Sequence, residues 1–415
     1  MLVVFVQRPG QDEPAATLPA DLTGQPQALV AVDAEGPFSP LAEAVAEVPG
    51  LRDRLARALG PPSVARYRLA RPWLLLGLLP IVALVELERQ LAAAGVSGIV
   101  GRLVGDVLLG AFCALELARP LPRHPRACAA ALASIGTRYA YMLAASCFHT
   151  LPLLWLGAAG AAAASLATLY FMPTPHRVTA ELRERLSLPP TPTPTPSPSP
   201  THPLTLPLAL VAATVLPAAL VVARHLGAKA WGTGAILVVL GGALPFLFRG
   251  RFRLPSAKWP SAARVADAAF FGFASALALV RCVHYTMYGA AEVVRCSWPQ
   301  LHARWLAPLL EQPAREARPD APSRLVLAAM VVFVVPLVEE RLYRHVFQRA
   351  LRGRSSATRA IGAASAVFGL AHLGVYRGAA YQTVLMGLGF GAAYEEAGLL
   401  ASLLAHVLYN ASLLV

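Results

Sequence analysis

Long apolar runs separated by short basic stretches dominate the chain from residue 71 onward. A bilayer-spanning helix needs about 20 predominantly apolar residues. The runs that approach this length are Trp73 to Leu87 (with Pro80 inside it), Gly98 to Leu117, Cys128 to Phe148, Leu151 to Met172, Leu204 to Ala223 and Gly232 to Phe248. Val265 to Val283, Leu325 to Ala350, Ala360 to Val375, Ala379 to Tyr394 and Leu399 to Val415 follow. Arg102, Asp106 and Glu116 weaken the second run as a span. The pattern predicts an all-α, polytopic transmembrane helical bundle with about 8–11 spanning helices. No internal repeat is evident.

The polar stretches set the organisation. Residues 1–70 read as a non-membrane region with one amphipathic candidate, Pro40 to Leu59, interrupted by Pro49-Gly50. Met1 to Val6 is apolar but too short for a signal peptide and lacks a preceding basic region, so insertion is expected to rely on an internal helix. Proline alternates with Thr and Ser from Pro189 to Pro200, which predicts an extended polyproline spacer. The expected division is therefore a 1–70 region, membrane helices in 71–188, a linker at 189–202, further membrane helices and a loop in 203–323, and a motif-bearing membrane core at 324–415.

Composition agrees with the membrane reading. The 415 residues are 56% hydrophobic and only 14% charged, against roughly 25% charged in soluble proteins. The formal net charge is +13, but the bases cluster between apolar runs. That is how topology signals are placed, and no nucleic-acid fold signature accompanies them, so nucleic acid is not an expected partner. The Arg249/Arg251/Arg253/Lys258 and Arg349/Arg352/Arg354/Arg359 stretches both belong in the cytoplasm, and two predicted spans lie between them, so the assignments agree. Cys113, Cys128, Cys147, Cys282 and Cys296 show no C-x-x-C pairing, so they are expected to be buried thiols rather than a zinc site or disulfide framework. Heavy use of Ala, Arg and Pro fits a GC-rich bacterial genome, and the expected location is the bacterial inner (cell) membrane.

Three polar motifs interrupt the last apolar segments. They are Glu339-Glu340-Arg341-Leu342-Tyr343-Arg344, then Phe368 to His372, then His406 to Asn410. Ionisable groups at bilayer depth are costly and face a protein interior, so they mark function by default. On an α-helix Glu339 and Glu340 project about 100° apart, whereas Arg344 lies one turn after Glu340 on its face. This predicts that Arg344 compensates Glu340 as a buried pair, leaving Glu339 to act as general base on a water, with the two glutamates in exchanged roles as the alternative. Phe368 lies one turn before His372 and can pack beside its imidazole. His406 and Asn410 also share a face, and two N–H groups aimed at one point would make an oxyanion hole. Each motif alone has an ordinary explanation: a helix end at the headgroups, a structural histidine, or interhelical polar glue. Asn410-Ala-Ser412 matches a glycosylation sequon, though inside an apolar helix. All three motifs in this order within 72 residues are a specific signal.

The trio resembles the CPBP family of CAAX prenyl endopeptidase and bacteriocin-processing (Abi) intramembrane proteases, over about residues 324–415, with every polar motif position present. The resemblance implies peptide-bond hydrolysis in an all-helical membrane core. The first Glu and first His (Glu339, His372) would hold the attacking water, and the second His and the Asn (His406, Asn410) the oxyanion. A metal-dependent account is also current for such proteins. Glu339, His372 and His406 would then be the zinc ligands, although no H-E-x-x-H is present. No cofactor is otherwise expected. The implied substrate is a membrane-anchored or C-terminally sorted protein, as for myxosortase-like relatives, or a peptide precursor. The rival is a non-enzymatic scaffold or immunity factor of the same family.

Overall fold

The computed structural model describes residues 2–7, 16–17, 28–33, 60–95, 99–147, 152–185, 260–306, 328–372 and 380–413. The predicted amphipathic helix at Pro40 to Leu59, the Pro-rich stretch, the two runs between Leu204 and Phe248 and the basic stretch from Arg249 to Lys258 lie outside the described residues.

The protein is a polytopic helical bundle with a small N-terminal sheet that the apolar pattern does not predict. Strand β1 (Leu2–Gln7) pairs antiparallel with β2 (Ala16–Thr17) and parallel with β3 (Ala28–Asp33), in the order β2-β1-β3. Its Val- and Phe-rich sequence has high strand propensity. The helices are α1 (Pro62–Leu76), α2 (Leu79–Ala93), α3 (Ile99–Ala118), α4 (Pro125–Ala145), α5 (Pro152–Phe171), α6 (Pro175–Arg185) and α7 (Ala262–Ser297). A bent rod, α8 (330–352), follows, built from Met330–Val334, Val335–Glu339, Glu340–Gln348 and Arg349–Arg352. The chain ends in α9 (Ala357–Ala371), α10 (Ala380–Ala397) and α11 (Leu399–Ser412). Among the described residues, Pro62–Ala93, Pro152–Leu182 and Ala262–Ser297 are long and apolar enough to cross a membrane, and Ala357–Ala371 and Leu399–Ser412 are shorter apolar helices.

The chain divides into two compact units that interleave along the sequence. In the first (1–75, 116–125, 167–197), the Tyr67 hydroxyl donates to the Leu117 and Arg119 carbonyls at 3.1 and 3.3 Å. Glu116 is buried there because both carboxylate demands are local: it pairs with Arg119 and accepts the backbone N–H groups of Arg123 and His124, each at 2.8 Å.

In the second unit Asp106, one of the charges that weaken α3 as a span, turns out to be paired inside the protein. Asp106 is completely buried between Arg138 of α4 and Arg281 of α7, and Arg138 also pairs with Glu88 of α2. Arg138 donates to the Tyr285 hydroxyl at 3.0 Å as well. Two acids and two bases thus neutralise one another across four helices, which is how a membrane interior tolerates them.

The motif-bearing helices pack around α7, which lies against α10 and α11, while α9 packs on α10. Apolar burial does not drive helix association in lipid, so close approach of small residues must supply van der Waals contact. Gly272 of α7 meets Gly389 of α10 there. A Cβ on Gly389 would stand 2.5 Å from the Gly272 carbonyl oxygen and 2.8 Å from the Ala276 nitrogen, both backbone atoms. Gly389→Ala is therefore expected to lower the melting temperature of the purified protein by splaying α7 from α10. Unchanged thermal unfolding would show that the crossing is looser than this. Gly398, with φ 79°, sits in the left-handed region between α10 and α11, where glycine carries no steric penalty.

One cysteine expectation is corrected. Cys147, just after α4, and Cys296, in the last turn of α7, form a disulfide with Cα atoms 5.8 Å apart, within the ordinary span. Sequence spacing cannot reveal a pair 149 residues apart whose helices run side by side. Cys113 and Cys128 are buried thiols as expected, and Cys282 is half-buried.

Candidate active site

The geometry of α8 starts with Pro336. Proline has no N–H and its ring crowds the carbonyl one turn earlier, so a regular α-helix cannot run through it. The helix responds with wide π turns on both sides of the short α stretch Val335–Glu339. In the first of these the Val335 N–H bonds to the Met330 carbonyl. The same register would pair the Val331 carbonyl with the nitrogen of Pro336, which has no hydrogen to give. That carbonyl instead accepts from the Asn410 side-chain amide at 2.8 Å. The third motif thereby satisfies a backbone group that the first one orphans. π turns of this kind are frequent at functional sites.

The two glutamates occupy different environments. Glu340 is fully buried. One of its carboxylate oxygens lies 2.9 Å from His406 Nδ1, and the other accepts from the Ser402 hydroxyl and lies 3.4 Å from Arg344 Nε. Arg344 is itself fully buried, with its guanidinium 5.3 Å above the Phe368 ring centroid. The predicted Glu340–Arg344 pair is therefore present in the structure, within a larger cluster than the sequence implies. Glu339 keeps 13% side-chain exposure. Its Oε1 is 3.4 Å from His372 Nε2 and its Oε2 is 3.8 Å from His406 Nε2.

Hydrogen-bond partners assign the imidazole protons. His372 Nδ1 lies 2.7 Å from the Phe368 carbonyl, which can only accept, so Nδ1 carries the proton. His406 Nδ1 faces the Glu340 carboxylate and donates to it. In both rings Nε2 is the nitrogen left over, and in both it is turned to the Glu339 carboxylate. The separations exceed a direct hydrogen bond and suit a small polar species between the groups.

Aromatic packing fixes the rings. Phe368 is edge-on to His372 at 4.7 Å, to Tyr343 at 5.0 Å and to His406 at 6.2 Å. Phe390 of α10 stacks on His406 at 4.5 Å with the planes 20° apart. Below the glutamates, the Gln348 amide donates to the Gly391 carbonyl and to Glu395, each at 3.0 Å, and Arg352 pairs with Glu395 at 2.9 Å. These contacts pin the far end of α8 to α10.

Six of the seven motif residues are thus joined in one network, and Asn410 enters through the backbone of α8. Sequence reasoning passes over Ser402, Phe390 and Gln348. A signal existed for Ser402, which lies one turn before His406 on the face shared with Asn410. None existed for Phe390, which reaches His406 from another helix.

A carboxylate and two imidazoles are thus gathered inside a helical bundle. Residues 321–412 match the family model described as Rce1-like, type II CAAX prenyl endopeptidase Rce1-like, and contain all seven motif residues. That region is accordingly similar to the CPBP/CAAX proteases. Comparison with curated proteins and with solved structures yields no match.

A metal-ligating histidine ordinarily donates its second ring N–H to a carboxylate or carbonyl, as His406 does to Glu340 and His372 does to Phe368.

Proposed function

We propose that this protein is an intramembrane endopeptidase of a bacterial cell membrane that hydrolyses a peptide bond in a membrane-anchored protein or peptide precursor. The supporting observation is the convergence of two Nε2 atoms, each anchored from behind, on the one partly exposed carboxylate of the cluster. In this reading a water donates one hydrogen to Glu339 and the other to His372 Nε2, which turns its lone pair toward the scissile carbonyl. The water oxygen attacks the carbonyl carbon while Glu339 takes the proton, and the C=O electron pair becomes an oxyanion. His406 Nε2–H and the second amide hydrogen of Asn410 stabilise that charge. As such a donor His406 carries protons on both nitrogens, which balances two carboxylates against one guanidinium and one imidazolium. Glu339 then passes its proton to the departing nitrogen as the C–N bond breaks, giving a carboxylic acid and an amine and restoring the carboxylate.

If the site takes a metal, Glu339, His372 and His406 hold it, and it supplies Lewis acidity and a more acidic bound water. Purified protein offered a library of internally quenched peptides, with and without chelator, tests both readings. Cleavage that survives chelation supports the carboxylate reading, and loss restored by zinc supports the metal one. Absence of cleavage under all conditions would favour a non-enzymatic scaffold. Asn410→Ala is expected to lower turnover about 10²–10³-fold with little change in KM. A large rise in KM at constant turnover would remove Asn410 from the oxyanion role.

A further inference from the structure

We infer that the bundle end carrying Cys147–Cys296 faces the extracytoplasmic side, and that substrate reaches Glu339 and His372 from there. The second half rests on the endopeptidase reading. The substrate would then be a peptide segment exposed on, or just inside, the outer face of the membrane, not a cytoplasmic prenylated tail.

Three observations lead to it. The first is the disulfide itself, since such bonds persist in oxidising compartments and are rare in the cytosol.

The second is the distribution of basic residues along the helices. Arg349, Arg352, Arg354 and Arg359 occupy the connection between α8 and α9. Arg119, Arg123 and Arg126 flank the start of α4, and Arg249, Arg251, Arg253 and Lys258 precede α7. The opposite ends of α4 and α7 carry the two half-cystines; the stretch 146–151 after α4 has no Lys or Arg, whereas Arg295, Arg304, Arg315, Arg318 and Arg324 follow on the α7 side, so α7 itself gives no charge bias. Positive charge marks the cytoplasmic side, so the connections before α4 and between α8 and α9 agree with the redox chemistry on one orientation.

The third is the packing around the site. Asn410, near the end of α11, bonds to Val331 at the start of α8, whereas Arg352 at the end of α8 pairs with Glu395 at the end of α10. Gly272, in the first third of α7, meets Gly389 and Ala393, toward that same basic end of α10. From Gly272 to Cys296 the helix rises about 36 Å, more than the hydrocarbon thickness, so the disulfide lies beyond the opposite face. His372 closes α9 about 24 Å of helical rise from its basic start at Ser356, on the disulfide side. Between Glu339 and the basic loop lie Glu340, Arg344, Gln348 and Ser402, all fully buried, and Phe368 and Phe390, buried nearly as completely. Exposure reappears at Glu339 and His372, at 13% and 17%. A peptide approaching from the cytoplasm would have to displace this charged and aromatic plug.

The test uses membrane-impermeant thiol reagents on intact spheroplasts and on inverted vesicles. With Cys113, Cys128 and Cys282 replaced by Ser, the full-length protein is reduced mildly and treated with a maleimide–polyethylene glycol. Two added polymer masses on spheroplasts, and none on inverted vesicles, are expected. The reverse pattern would overturn the orientation, and labelling on spheroplasts without reduction would overturn the disulfide on which the redox argument stands, because the thiols would then not be paired. Access is read separately with Glu339→Cys in a background lacking all five native cysteines. Labelling from outside is expected, and labelling only in inverted vesicles would overturn the route. Failure of the endopeptidase reading would instead show as absence of peptide cleavage in detergent, which leaves both labelling patterns unchanged.

Discussion

Glu339→Gln is expected to abolish measurable peptide cleavage while the protein inserts, purifies and melts like the wild type. Glu339 belongs to the cluster but does not hold it together: its oxygens stand 3.4 and 3.8 Å from the two Nε2 atoms, whereas Glu340 makes the short contacts to Ser402 and His406. The amide has the same shape, so packing is preserved. What disappears is the group able to take a proton from water, a contribution of about 10²–10⁴-fold to rate in general acid–base catalysis. Loss of the water-holding charge compounds it. The measurement is turnover of a quenched peptide beside a thermal unfolding curve. Full activity in this variant would end the assignment of Glu339, and a large fall in melting temperature would make it a structural residue.

Arg344→Ala should show the opposite balance, with stability failing first. The guanidinium is completely buried and lies against the Glu340 carboxylate and the face of Phe368. Removing one partner of a buried pair leaves an uncompensated charge, which typically costs about 3–5 kcal/mol. Here it would also withdraw the support beneath the ring that packs against His372 and His406. Activity is expected to fall with the melting temperature, and Glu340→Gln combined with Arg344→Met should be less damaging to stability than Arg344→Ala alone, since both charges then leave together. An inactive Arg344→Ala with unchanged unfolding would move the arginine from support to chemistry.

Much of the helical framework could be read from hydropathy, because lipid imposes length and apolarity on any crossing segment. The run Leu151 to Met172 matches α5, and Ala379 to Tyr394 matches most of α10. Val265 to Val283 finds only the first part of α7, which continues to Ser297. A hydropathy window stops where side chains become polar, whereas backbone hydrogen bonds carry the helix on without regard to lipid. The small sheet escaped notice because its strands are short and their pairing joins residues far apart in sequence.

The chain's own pattern determined that helices would cross a membrane, where the basic stretches fall between them, and which seven side chains break the apolar rule. It also determined the Glu340–Arg344 pairing, since one helical turn is a local distance. Only the tertiary structure decided where Glu339 points, that Ser402 and Phe390 complete the surroundings of His406, that Asn410 repairs the backbone opened by Pro336, and that Cys147 meets Cys296. Each of these depends on which helices lie side by side and on a local departure from α geometry. Periodicity along one segment records the face a residue occupies, but not what stands opposite that face.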